Sequence, residues 1–216
     1  MALNFTGLFP PGREPLINVD WTTFADNTGF ILFDCYTTDE VTQSFHLIRG
    51  VEADTLTSSL GATGKTSAAF SGNTDEIVLD LDFDLSAFNR PQTVKGTAIL
   101  KVGVFNNSTT NGDLIFIIAK LRKFDGSTET EIGSVQSRDV SITSSATVEE
   151  GLNLTMSLTT TSFKVGDILR LTIEGWGENM SGNTMTISFN PRDTAVGSFT
   201  AGNTRLPIAV PFKIET

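Results

Sequence analysis

Residues suited to chemistry are few in this sequence. His46 is the single histidine and Cys35 the single cysteine. One imidazole excludes a multi-histidine metal site, so zinc would have to rely on Cys35 and carboxylates. Serine and aspartate are plentiful enough for a Ser-His-Asp arrangement, yet no Gly-x-Ser-x-Gly elbow presents a nucleophile. His46 falls in an alternating run, where a partly exposed or hydrogen-bonded imidazole is expected. Cys35 lies between Asp34 and Tyr36 in an apolar run, where a lone thiol packs as a small hydrophobe. No neighbour there would lower its pKa and make it a nucleophile.

The carboxylates are more suggestive. Asp80, Asp82 and Asp84 recur at every second position. On a strand they share one face about 7 Å apart, too wide for all three to hold one calcium ion. A surface ladder paired with basic residues is the expected use, with Lys95 and Lys101 as partners should the next strand lie alongside. Paired acids for glycoside hydrolysis would need two carboxylates converging in a cleft, and Glu174 and Glu178 are the pair to watch. A sugar platform would need aromatics other than phenylalanine, and only Trp21, Tyr36 and Trp176 qualify. Trp176 sits in Glu174-Gly-Trp-Gly-Glu178, whose glycines suggest a strand end or bend. It is either a core-capping aromatic or a glycan platform. Gly61-Ala-Thr-Gly-Lys-Thr66 has the look of a phosphate-binding loop, but its glycines are too close and no apolar helix follows. No cofactor or metal is expected.

The elements that must carry these residues read as strands. Ile77, Leu79, Leu81, Phe83 and Leu85 alternate with Val78 and the three aspartates, so one face is core and the other water. Leu152, Leu154, Met156 and Leu158 alternate with Asn and Thr in the same way. Further apolar runs cover 30–36, 43–49, 98–105, 114–124, 168–173, 185–189 and 208–214, with a weaker one at 131–140. Asn106 to Gly112 is a hairpin signal. Residues 57–75 read as a loop with at most one short strand, and Glu149-Glu150-Gly151 supports no more than one turn. No stretch shows a sustained helical period with caps. Eight to ten strands with regular turns predict an all-β, single antiparallel jelly-roll-like β-sandwich.

Composition agrees with one folded unit. The chain of 216 residues is 39% hydrophobic and 19% charged, and Phe, with 16 copies, dominates the aromatics. Phe has no polar atom to satisfy and suits a dry core between two sheets. A net charge of −10 disfavours direct contact with nucleic acid or anionic membranes. One cysteine excludes an intrachain disulfide framework, and the first residues have neither a basic n-region nor a long apolar run. Synthesis in a cytoplasm, as a soluble chain, is expected.

Residues 1–25 read as an extended N-terminal arm ahead of a sandwich domain at 26–216. Gly7, Pro10, Pro11, Gly12 and Pro15 break any period, while Leu3, Phe5, Leu8, Phe9 and Trp21 are apolar groups that need burial. They pack on their own domain or form a partner interface on a neighbouring subunit.

Residues 163–214 carry a resemblance. Phe163-Lys-Val-Gly-Asp-Ile-Leu-Arg-Leu-Thr-Ile-Glu-Gly175 is a turn followed by an amphipathic strand, similar to a late strand in jelly rolls of the tumour-necrosis-factor and complement-head kind. Asn190-Pro-Arg-Asp193 and the closing Val210-Pro-Phe-Lys-Ile214 resemble jelly-roll virion structural proteins of tailed viruses. That resemblance implies a non-enzymatic decoration, minor capsid or tail-associated protein, located in the virion. Its implied partners are copies of itself, with a trimer favoured, and other virion proteins. Pro207 and Pro211 in the last strand imply an edge position or a bulge. A carbohydrate- or receptor-binding module centred on Trp176, and a glycan-active enzyme, are the alternatives.

Overall fold

The computed structural model describes residues 28–37, 44–49, 63–143, 146–178 and 180–213. Leu3, Phe5, Leu8, Phe9 and Trp21, and the boundary expected after residue 25, lie outside them. In chain order the strands are β1 (Thr28–Thr37), β2 (Phe45–Arg49), β3 (Gly64–Thr66), β4 (Phe70–Gly72), β5 (Glu76–Asp84), β6 (Gln92–Asn106) and β7 (Leu114–Phe124). They continue with β8 (Glu129–Gln136), β9 (Val140–Ser141), β10 (Val148–Phe163), β11 (Ile168–Glu178), β12 (Met180–Asn183), β13 (Met185–Ser188) and β14 (Pro207–Lys213). No helix occurs among the described residues.

Eight strands form two four-stranded sheets. The first runs β1-β14-β6-β10 and the second β5-β11-β7-β8. The chain crosses repeatedly from one sheet to the other, in the order of a double Greek-key jelly roll. The remaining short strands trim this frame. β2 extends the first sheet and meets β5 through one parallel bridge, His46 opposite Asp84, which joins the sheets along one side. That bridge is an exception to the expected antiparallel pairing. On the other side β8 nears β10 so closely that a Cβ on Gly133 would sit 2.7 Å from the Ser157 carbonyl oxygen.

Between the sheets lies the core. The alternation read in the sequence delivers Leu79, Leu81 and Phe83 of β5, and Leu152, Leu154 and Met156 of β10, to the interior. Ile115, Ile117, Ala119 and Leu121 of β7 join those of β5 from the second sheet's centre. Phe45, Phe83 and Phe189 meet edge to face at 5.2–5.7 Å, an arrangement their ring quadrupoles favour. Each large side chain buried this way stabilises the fold by about 1.5–3 kcal/mol.

The hairpin between β10 and β11 follows the Gly-Asp reversal read from the sequence. Gly166 has φ +93°, and the Asp167 carboxylate accepts the Lys164 N–H at 2.6 Å. The last strand is central, between β1 and β6, so Pro211 marks a bulge and not an edge, while Pro207 opens the strand. Its pairing with β6 shifts between Ala209 and Phe212. Gly96, at φ +114°, faces Pro211 there, and even a Cβ would come to 3.4 Å of the proline ring. Two expectations need correction. Residues 57–75 contain two short strands, β3 and β4, each pairing with a segment more than a hundred residues later. Glu149-Glu150-Gly151 opens β10 instead of turning, because β6 supplies a full-length partner.

Candidate functional site

The outer face of the second sheet carries the aspartate ladder. β5 pairs with β11, so Asp84 stands opposite Arg170, Asp82 opposite Thr172 and Asp80 opposite Glu174. Arg170 grips Asp84 with two parallel bonds, Nε–Oδ1 at 2.6 Å and Nη2–Oδ2 at 2.7 Å. This fork-to-fork geometry is the strong form of an ion pair, and the Asp84 bond is the main reason the guanidinium holds its proton more tightly than usual. Arg170 also reaches Glu129 and lies 4.9 Å over the Phe124 ring. Thr172 donates its hydroxyl to Asp82 at 2.5 Å. One strand further, Arg122 binds Glu129 at 2.9 Å and Lys120 binds Glu174. The face is thus an ion-pair ladder across four strands.

Lys95 and Lys101 are not the partners of this ladder, a correction to the sequence reading. Both lie on β6, in the other sheet, where Lys101 donates to the Gly202 carbonyl. The true partners come from β11, 86 or more residues away along the chain.

At the end of this face the charges give way to apolar groups. Trp176 lies two residues before the end of β11, at the irregularity its glycine neighbours suggested, and its ring stacks on Phe116 of β7 at 5.8 Å and 11°. Its indole N–H donates to Glu174 at 3.2 Å. Ile77, 44% exposed, is the cross-strand neighbour on β5, where the register shifts between Gly175 and Trp176. A Cβ on Gly175 would meet the Met185 sulfur at 2.5 Å, so that buried side chain would have to move. Asp80, on the next rung, has its carboxyl pKa raised, by burial first and then by Asp82 and Glu174.

Glu174 and Glu178 occupy one strand, four positions apart, so they line a face and do not converge as a glycosidase pair. Trp176 is placed on an outer face, as a glycan platform requires, but Phe116 covers one side of its ring. His46 lies beside the Tyr36 ring at 5.5 Å. Cys35 is buried, and burial, then Asp34, pushes its thiol pKa up, so it is no nucleophile. Gly64-Lys65-Thr66 forms β3 and pairs with β13, so the glycine-rich run leads into a strand and not a helix.

The outer face of the first sheet is finished differently. The segment 190–204 lies across it as a strap, in a notch that the sequence reading missed. Gly103 of β6 and Gly151 of β10 are paired in register, and a Cβ on either would collide with Asn203, at 1.8 Å and 2.5 Å. Glu149 accepts from Thr200 N–H at 2.9 Å, Thr200 Oγ1 at 2.8 Å and Asn203 Nδ2 at 3.0 Å. Burial raises its pKa, but those three bonds outweigh it and hold the carboxyl below its ordinary value. Phe199 of the strap packs against Phe105 at 6.1 Å. Inside the strap, Asp193, at φ +52°, accepts from Gly202 N–H and Thr204 Oγ1. At its root Arg205 clamps the fully buried Asp34 at 2.5 and 2.6 Å. The Asn190-Pro-Arg-Asp193 loop singled out in the sequence is the start of this strap. The glycine pair could have signalled it only to a reader who already knew the β6–β10 register.

Two shallow depressions, each of about 520 Å³, flank these faces. One lies between β8 and β10 near Arg138 and Asn153. The other lies between Thr66, Phe105 and the strap at Phe199.

No protein-family model and no curated protein matches this sequence. Among solved structures, the chain is similar to a CocE/NonD family hydrolase from Staphylococcus aureus, SACOL2612, at 12% identity and a TM-score of 0.46, over 85% of this chain and 37% of that one. The VP2 protein of infectious bursal disease virus aligns at 11% identity and a TM-score of 0.35, over 88% and 37%. Murine APRIL aligns at 9% identity and a TM-score of 0.29, over 84% and 98%. The chain spans only 37%, 25% and 26% of the lengths of the first three structures matched. These likenesses concern the arrangement of strands and carry no functional argument.

Proposed function

We propose that the chain is a non-enzymatic virion structural protein, a jelly roll that assembles on a capsid or tail. The observation that carries this reading is the outer face of the second sheet. Asp84, Asp82 and Glu174 are engaged there by Arg170, Thr172, Lys120 and Trp176, which suits a rigid surface better than proton transfer. An apolar corner at Ile77 and Trp176 stays in reach of solvent beside it, as a docking patch requires. The apolar side chains at Leu3, Phe5, Leu8, Phe9 and Trp21 add a second means of attachment, by latching onto a neighbouring copy. A trimer and a location in the virion follow from the resemblance of residues 163–214.

Light scattering of the full-length protein at micromolar concentration is expected to show an oligomer. Monomer alone, with stability and particle binding unchanged after deletion of residues 1–20, contradicts the latch. The place of half-buried Trp176 on an outer face favours a second reading, a glycan- or receptor-binding module. Glycan-array signal that disappears in Trp176→Ala would select it over assembly.

A further inference from the structure

We infer that the corner formed by Ile77, Trp176, Phe116 and Asp80 takes a lysine- or arginine-bearing segment of a partner protein; this names the partner for the assembly reading and rests on it. Exposed Ile77 of β5 and half-buried Trp176 of β11 make the apolar part of the corner, and buried Phe116 of β7 backs the Trp176 ring. The rung beside it places Asp80 in register with Glu174, and Asp82 follows two residues along β5. Cations nearby are engaged elsewhere: Lys120 with Glu174, Arg122 with Glu129, and Arg170 with Asp84. Asp80 has no ion-pair partner among the described residues. Burial, Asp82 and Glu174 all oppose its ionisation, and together they outweigh the opposing pull of Arg122 and Lys120. A positive charge brought to this point is therefore favoured.

A lysine or arginine matches both halves of the corner. Its aliphatic stem covers Ile77 and the exposed side of Trp176, while its head reaches Asp80. Charge decides against the chain's own candidates. Residues 1–27 carry Arg13 against Glu14, Asp20 and Asp26, and a second copy brings a net charge of −10. The occupant is a basic segment of a different protein.

The test is fluorescence anisotropy of a labelled peptide of alternating Gly and Arg, with a Gly-Glu peptide as control. It is titrated with the full-length protein and its Asp80→Asn, Ile77→Ser and Glu131→Gln variants. Asp80→Asn and Glu131→Gln remove the same charge, so they separate a site from general attraction to an acidic protein. The first two variants are expected to weaken binding about tenfold and Glu131→Gln about twofold or less. Binding should also weaken as pH falls through the raised Asp80 pKa, with Asp82, Glu174, Lys120 and Arg122 as the other groups facing it. Equal weakening by all three variants, or no binding, overturns the inference. A chain that joins particles yet binds no cationic peptide overturns this corner alone. One that binds through Asp80 but is missing from particles overturns the assembly reading instead.

Discussion

The two outer faces of the sandwich solve the same problem in opposite ways. Each sheet has an inner face for the core and an outer face with polar side chains to satisfy. On the first sheet the chain covers its own outer face: the strap at 190–204 sits in the Gly103–Gly151 notch and buries Asp34 under Arg205. On the second sheet the outer face is left to its side chains, which pair laterally from Asp84 through Arg170 to Glu129. A covered face commits its contacts to folding. An uncovered face with an apolar corner keeps surface for a partner. The same fold thus separates a strapped side from an open one, and in the proposed function it is the open side that docks.

That comparison breaks most sharply at Arg205. Arg205→Met leaves a fully buried carboxylate without its guanidinium, and urea unfolding is expected to show a loss of about 3–5 kcal/mol. Gly103→Val comes next. Its Cβ would overlap the Asn203 carbonyl oxygen, so the strap must lift, at a cost of about 3 kcal/mol, with new proteolytic cleavage inside 190–204. The open face should be more forgiving. Arg170→Met removes the hub of the ladder, but its carboxylate partners regain water, and the expected loss is about 1–2 kcal/mol. A larger loss for Arg170→Met than for Arg205→Met would erase the distinction between the faces.

Acid titration sharpens the contrast more gently. Glu149, under the strap, has a lowered folded-state pKa, so its contribution is present above the unfolded value and lost as pH falls through the folded one. Asp80, on the open face, has a raised one, so ionisation there opposes folding, and that opposition is relieved as pH falls through its folded value. Glu149→Gln should therefore flatten the acid side of the stability curve. Asp80→Asn should give a small gain at neutral pH that disappears in acid.

Much of the frame was legible because strand periodicity is local. The alternations at 77–85 and 152–158 place Leu81, Phe83, Leu154 and Met156 inside, and Pro211 of the last strand marks a bulge. What the sequence hides is pairing across distance. The aspartate ladder was readable, but not that Arg170 answers it, because β5 and β11 meet only once the Greek key is closed. Trp176 stood out by its glycine neighbours, whereas its stacking on Phe116 depends on the β7–β11 register. The strap was invisible for the same reason: each glycine alone reads as a weak point in a strand, and only their alignment makes a notch.

The most direct measurement is cryo-electron microscopy of particles that carry the chain. Symmetric copies are expected, with the second sheet's outer face and the corner at Trp176 turned into the contact and the strapped face toward solvent. Particles without the chain, or copies docked through the strap with the Asp80–Arg170 ladder left in water, would contradict it.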